Sequence, residues 1–105
     1  MADNRRTATR HAVSIVGTLA MGTPPTTGDC SIMNLSLGGA SIAASRRYAM
    51  GERCNLTFKV PSQEEPIEIG ATVRWSDDTA VGVQFDGLRA RDVWALNEFF
   101  KQLGG

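Results

Sequence analysis

The chain reads as an all-β domain: a six-stranded antiparallel β-barrel with a C-terminal α-helix and a flexible N-terminal arm. Three observations predict it. Between residues 12 and 85 apolar side chains recur with a period of two, the signature of half-buried strands. The runs are short and broken by turns rich in Gly, Pro and Asp, as in hairpin-connected strands. Near residue 88 the period changes to three and four, which belongs to a helix. Six strands with one apolar face each pair most simply as an antiparallel sheet, and closing it into a barrel buries those faces and removes exposed edges.

Residues 1–10 are polar and lack periodicity, so residues 1–11 are expected to form the arm and 12–105 the barrel with its helix. Residues 12–21 form the first strand candidate, with Val13, Ile15, Leu19 and Met21 on odd positions. The Pro- and Gly-containing stretch 22–28 is expected as a loop. Residues 29–36 make a second strand and 39–44 a third, bent at Gly38-Gly39. From Arg53 to Val60, Cys54, Leu56, Phe58 and Val60 share one face. Pro61 to Pro66 turns the chain, and Ile67, Ile69, Ala71, Val73 and Trp75 then alternate on one face, which places Trp75 in the core. Ser76-Asp77-Asp78 reads as a hairpin turn, and Val81, Val83 and Phe85 complete the last strand. Val93, Leu96, Phe100 and Leu103 make one helical stripe over about 88–103, with Arg89, Asp92 and Lys101 outside it. Trp94 with Phe99 could extend an apolar surface there, and Gly104-Gly105 is expected to stop the helix.

With 105 residues the chain fits one domain with a modest core. Eleven basic and eleven acidic residues cancel, so overall charge gives no affinity for a nucleic acid polymer or an anionic membrane. The distribution is uneven: residues 1–47 hold five Arg against Asp3 and Asp29. A local positive field suits a small anionic ligand. Cys30 and Cys54 have no C-x-x-C spacing, and with His11 alone they cannot form a zinc set; two reduced thiols in a cytoplasmic domain is the expectation. The run from Ala12 to Met21 after the Arg-rich start resembles a leader, but Ser14, Gly17 and Thr18 interrupt it, and nothing reaches the roughly 18 apolar residues of a membrane span.

Two short polar signatures carry the chemistry. Arg6 to Arg10 reads RxxxR, with Arg5 adjoining, and Asn34 to Gly39 reads N-x-S-x-x-G. An Arg fork can bind phosphate, pair with the Hoogsteen edge of guanine and stack on a purine face. Asn supplies an amide donor and a carbonyl acceptor for a base edge, Ser a donor to phosphate, and Gly a close approach to backbone. Alternation predicts Met33 and Leu35 inward, with Asn34 and Ser36 projecting together outward. Taken singly, each signature has a plain structural reading: Asn, Ser and Gly are favoured in turns, and two Arg four apart are unremarkable in a solvated tail.

Downstream, Val73-Arg74-Trp75-Ser76-Asp77-Asp78 followed by Ala80-Val81-Gly82-Val83-Gln84-Phe85 and a short helix resembles the ending of PilZ domains. The ordered set of R-R-x-x-x-R, N/D-x-S-x-x-G and W-S-D…G-V-x-F covers residues 5 to about 103 of the chain. The resemblance implies a six-stranded barrel with a C-terminal helix that binds cyclic di-GMP, the arm wrapping over the ligand. It carries ligand contacts over to Arg6, Arg10, Asn34, Ser36 and Gly39, with Arg5 and Gly38 as weaker members. Many members have Asp where this chain has Asn34, which predicts weaker binding here.

The function implied is a cyclic di-GMP receptor in motility or biofilm regulation, needing no further cofactor or metal. It would change conformation on binding and signal to a downstream protein, as a monomer or weak homodimer. A protein-interaction adaptor of the same fold that binds no nucleotide is the alternative. A small RNA-binding barrel fits less well, because the aromatics fall mostly at core positions and net charge is zero. No nucleophile–base pair, metal cluster or paired carboxylates points to an enzyme. Asp77 and Asp78 read as turn residues, and His11 as a surface residue beside the arm.

Overall fold

The computed structural model describes residues 10–22, 26–44 and 47–103. Over these the chain forms β1 (His11–Met21), β2 (Thr26–Leu35), β3 (Gly39–Ala43), β4 (Arg53–Phe58), β5 (Ile67–Ser76), β6 (Ala80–Phe85) and α1 (Ala90–Gln102). All strand pairings are antiparallel, and the barrel closes in the order β1-β2-β3-β6-β5-β4. The six-stranded barrel with one C-terminal helix is therefore the fold the alternation predicts. Arg5, Arg6, Gly104 and Gly105 lie outside the described residues.

β4 is the simplest case of pattern becoming structure. Cys54, Leu56 and Phe58 are buried and Arg53 and Asn55 exposed, as a period of two requires. Ile32, Leu35, Ile42, Leu56, Ile67, Ala71, Val73 and Leu96 lose all solvent contact and form the centre of the core. Each large aliphatic among them contributes about 1.5–3 kcal/mol through removal of its surface from water. Ala95, Leu96, Phe99 and Phe100 bring one face of α1 into the same cluster, and the Ser62 hydroxyl donates to the Ala95 carbonyl at 2.6 Å.

Several expectations need correcting. β2 begins at Thr26, not 29, because Met21 pairs with Thr26 and Leu19 with Gly28, so the ladder runs into the expected loop. The buried helix face is Asp92, Ala95, Leu96, Phe99 and Phe100, which keeps Leu96 and Phe100 of the expected stripe but not Val93 or Leu103. Leu103 and Trp94 are exposed and Phe99 is buried, so Trp94 and Phe99 do not share an apolar surface. The buried Asp92 carboxylate sits in the first turn of α1, where the helix dipole favours an anion, and accepts from Arg89 Nε at 3.1 Å. His11 is half-buried, its ring stacked on Phe100 with centroids 4.0 Å apart. Cys30 and Cys54 are both free thiols.

Three register shifts matter most. One residue of β2, Met33, stands against Val13 and Ser14 of β1; Met33 is also the extra residue of β2 against β3; and Arg74 is the extra residue of β5 against β6. Each inserted residue reverses which face the following side chains take. Hence Ile32 and Leu35 are buried and Met33 exposed, against the expected Met33–Leu35 face. Likewise Val73 is buried but Trp75 is 40% exposed, against the expected core position.

Candidate functional site

The three bulges surround one row of cross-strand neighbours on the outside of the barrel. Ala12 pairs with Asn34, Asn34 with Ser41, Ser41 with Gly82, and Gly82 with Trp75. The row crosses β1, β2, β3, β6 and β5 in turn. Its members are far apart in sequence, and the bulges at Met33 and Arg74 turn Asn34 and Trp75 onto the same outer face.

Gly82 sets how the row is used. A Cβ at this position would collide with the indole Nε1 of Trp75. The ring thus lies across the gap left by the missing side chain. It reaches a cleft of about 240 Å³ that Arg10, Asn34, Ser36, Arg74, Trp75 and Gln84 line together with the Gly38–Ser41 backbone and its neighbours on β6. Arg10 and Arg74 are both exposed and make no ion pair among the described residues. The cleft therefore combines two guanidiniums without an ion-pair partner among the described residues, an aromatic face and the Asn34 amide.

The turn after β2 explains the spacing of its signature. Ser36 is buried, and its Oγ accepts from the N–H groups of Gly38 and Gly39, both at 3.1 Å. The hydroxyl proton goes to the Gly39 carbonyl at 3.3 Å, and the Ser36 N–H donates to that carbonyl at 2.9 Å. Ser36 therefore does not project outward with Asn34 as alternation predicts: β2 ends at Leu35 and the hydroxyl closes the turn. Gly39 owes its identity to the sheet, since a Cβ there would strike the Val83 carbonyl of β6. The Gly38 carbonyl accepts from the Phe85 N–H at 2.8 Å, which ties the same turn to β6. With these groups engaged, the polar side chains left facing the cleft are Asn34, Ser41, Arg10, Arg74 and Gln84.

Of the residues singled out from sequence, Arg10, Asn34, Ser36, Gly38 and Gly39 come together at this one cleft. Arg5 and Arg6 fall outside the described residues. Sequence reasoning missed Arg74, Trp75 and Gln84. The signal for Trp75 was Gly82 seven residues on, a glycine inside a strand pattern, which marks a bulge or a close approach. At the far end of that hairpin, Asp77 Oδ1 accepts from the Thr79 and Ala80 N–H groups at 2.8 and 2.9 Å, and these bonds hold its carboxyl below the usual range. That confirms Asp77 as a turn residue.

A family model for the PilZ domain matches residues 4–102. No curated protein matches the chain. Among solved structures, the Bacillus subtilis inhibitor of motility MotI/DgrA is similar at 19% identity and a TM-score of 0.73, over 95% of this chain and 51% of that one. The PilZ domain of CeSA from a cellulose-synthesising bacterium aligns at 10% identity and a TM-score of 0.67, over 89% of this chain and 96% of that one. The Borreliella burgdorferi protein PlzA, solved in complex with c-di-GMP, aligns at 18% identity and a TM-score of 0.62, over 95% of this chain and 38% of that one. This chain thus spans about half of MotI/DgrA and less of PlzA. No helix among the described residues is long and apolar enough to cross a membrane.

Proposed function

The chain belongs to the PilZ domain family, and on that footing we propose that it is a cyclic di-GMP receptor whose ligand sits in the cleft between the Asn34–Gly39 turn and Trp75. The observation that carries the reading is the gathering of Arg10, Asn34, Arg74 and Trp75 at one cleft. Cyclic di-GMP presents two anionic phosphates and two flat purines. A guanidinium answers the phosphate charge and offers a bidentate fork to guanine N7 and O6. An exposed indole gives a purine a stacking face. The Asn34 amide can donate to and accept from a base edge. Ser36 contributes by closing the turn that presents Asn34.

The cleft holds about 240 Å³, short of the roughly 300–1,000 Å³ that enclose a drug-sized ligand. It suits part of a cyclic dinucleotide, with the remaining wall supplied from elsewhere. In this reading Arg6, with Arg5 in a lesser role, closes over the ligand from the arm. Ordering that arm makes binding a change of surface that a protein partner can sense. The complex of PlzA with c-di-GMP supports the choice of ligand, and the likeness to MotI supports an effector role.

Calorimetric titration of the protein with cyclic di-GMP tests the proposal. Saturable heat, together with NMR shifts at Arg10, Asn34 and the Trp75 indole, is the expected result. No heat at millimolar ligand would leave the nucleotide-free adaptor as the better reading.

A further inference from the structure

The barrel closes, but β2 extends beyond its ladder with β3, and that overhang has the properties of a docking edge. β2 runs from Thr26 to Leu35 while β3 spans only Gly39–Ala43. Their ladder joins Ile32, Asn34 and Leu35 to Ile42, Ser41 and Ala40. Beyond it β3 departs: the Ala44 N–H donates to the Thr79 carbonyl at 2.9 Å, on the side of the β5–β6 hairpin. Residues Thr26–Ser31 are therefore paired with β1 on one side and with no described strand on the other. In a strand paired on one side only, every second residue turns its N–H and C=O to the open side.

A cleft of about 440 Å³ lies beside this edge, lined by Leu19, Met21, Cys30, Ala43, Tyr48 and Glu52 among others. Leu19 and Met21 belong to the barrel core, so the cleft has an apolar floor. Thr26, Thr27, Gly28, Asp29 and Ser31 are exposed. Residues 26–31 themselves contain no Pro or Lys, two usual protections of an open strand. Among the described residues that line the cleft, the charged side chains are Asp29 on the edge and Glu52 on the cleft wall, and neither makes an ion pair with another described residue.

We propose that the open edge of β2, Thr26–Ser31, with the cleft beside it, receives an extended, Lys- or Arg-bearing segment of a partner protein as an added strand. Main-chain pairing supplies the register and the apolar floor takes alternate side chains. Asp29 and Glu52 select a cationic occupant. A second copy of this chain fits poorly. Two such edges pairing about a twofold axis centre near Gly28–Asp29, which brings Asp29 close to its own copy, and like charges across a strand pair are destabilising. The site is separate from the nucleotide cleft but shares its strand, since Asn34 lies three residues beyond Ser31.

The test is amide hydrogen exchange on the whole protein with three synthetic peptides of about eight residues that alternate Val and Thr. One carries two Lys, one carries Glu in their place, and one is the Lys peptide N-methylated at every second amide. The Lys peptide is expected to slow exchange of edge amides within residues 26–31 and to bind at least about fivefold tighter than the Glu peptide. N-methylation on the pairing side abolishes the effect. Asp29→Lys, which leaves Glu52 opposed by one positive charge, removes the preference for the Lys peptide while leaving cyclic di-GMP affinity unchanged, so the result stands or falls apart from the nucleotide reading. Three outcomes overturn the proposal: no protection of residues 26–31 at millimolar Lys peptide, equal binding of Lys and Glu peptides, or protection that rises with protein concentration alone and so identifies a second copy.

Discussion

Trp75 occupies the space that a side chain at position 82 would need: a Cβ on Gly82 would meet the indole at Nε1, Cε2 and Cδ1. The two residues are cross-strand partners on β5 and β6, and the bulge at Arg74 turns the ring outward onto that glycine. The aromatic wall of the candidate site thus depends on the absence of a side chain on the next strand. Gly82→Ala is expected to expel the indole and cost about 1–3 kcal/mol of stability, because the added methyl and the ring cannot occupy the same space. Trp75→Ala is expected to leave the fold intact and weaken cyclic di-GMP binding by about 1–3 kcal/mol, the worth of one base–aromatic stack. With Trp94→Phe as background, Trp75 fluorescence reads the displacement of the ring in Gly82→Ala, and calorimetric titration reads the affinity of Trp75→Ala. Unchanged affinity in Trp75→Ala would remove the stacking role.

Arg10 and Arg74 are expected to differ from Lys in kind. Arg10→Ala should abolish binding with the fold preserved, while Arg74→Ala should weaken it about tenfold. Lys at either position restores charge but no fork, so affinity recovers only in part and becomes more dependent on salt. Isothermal titration at two ionic strengths measures both. Full rescue by Lys would show that charge alone is used.

Asn34→Asp should strengthen binding several-fold, since a carboxylate accepts from guanine N–H groups with full charge. Ser36→Ala acts differently. It leaves the Gly38 and Gly39 N–H groups without their shared acceptor and should lower stability by about 1–3 kcal/mol before affecting affinity. Thermal melts and titrations on the same samples separate the two. Loss of affinity in Ser36→Ala at unchanged melting temperature would mean the hydroxyl meets the ligand directly.

Cys54 predicts an alkaline limit on stability. Burial, followed by the neighbouring Glu52 and Asp86 charges, pushes its thiol from 9.0 up to about 11. The native state holds the proton that the unfolded chain releases from about pH 9 upward. Stability from this group is complete below pH 9 and erodes as pH rises through 11, by about 2–3 kcal/mol in all. Urea unfolding between pH 8 and 11 should show the decline, and Cys54→Val should flatten it. An identical slope in the variant would assign the loss elsewhere.

Strand alternation made β4 legible outright, because Arg53–Phe58 pairs without interruption with Ile67–Thr72 on β5. It failed where a strand holds one extra residue. Counting twos from Ile67 puts Trp75 inside, and nothing local reveals that Arg74 is skipped by β6. The helix stripe erred for a related reason. Val93, Leu96, Phe100 and Leu103 fit a helical face, but α1 turns the neighbouring face inward, burying Phe99 and Asp92 instead. The Asx turn at Asp77 needed no such knowledge, because its hydrogen bonds lie within three residues.

The sequence by itself determined the number of strands, the one helix, the family pattern and five residues now gathered at one cleft. Those depend on periodicity and on turn chemistry, which act over a few neighbouring residues. Tertiary structure decided which face each residue takes after a bulge. It also decided that Ser36 closes a turn, that Arg74, Trp75 and Gln84 join the cleft, and that Thr26–Ser31 of β2 have no described strand on their far side. These depend on register between strands distant in sequence, where one inserted residue inverts every side chain that follows.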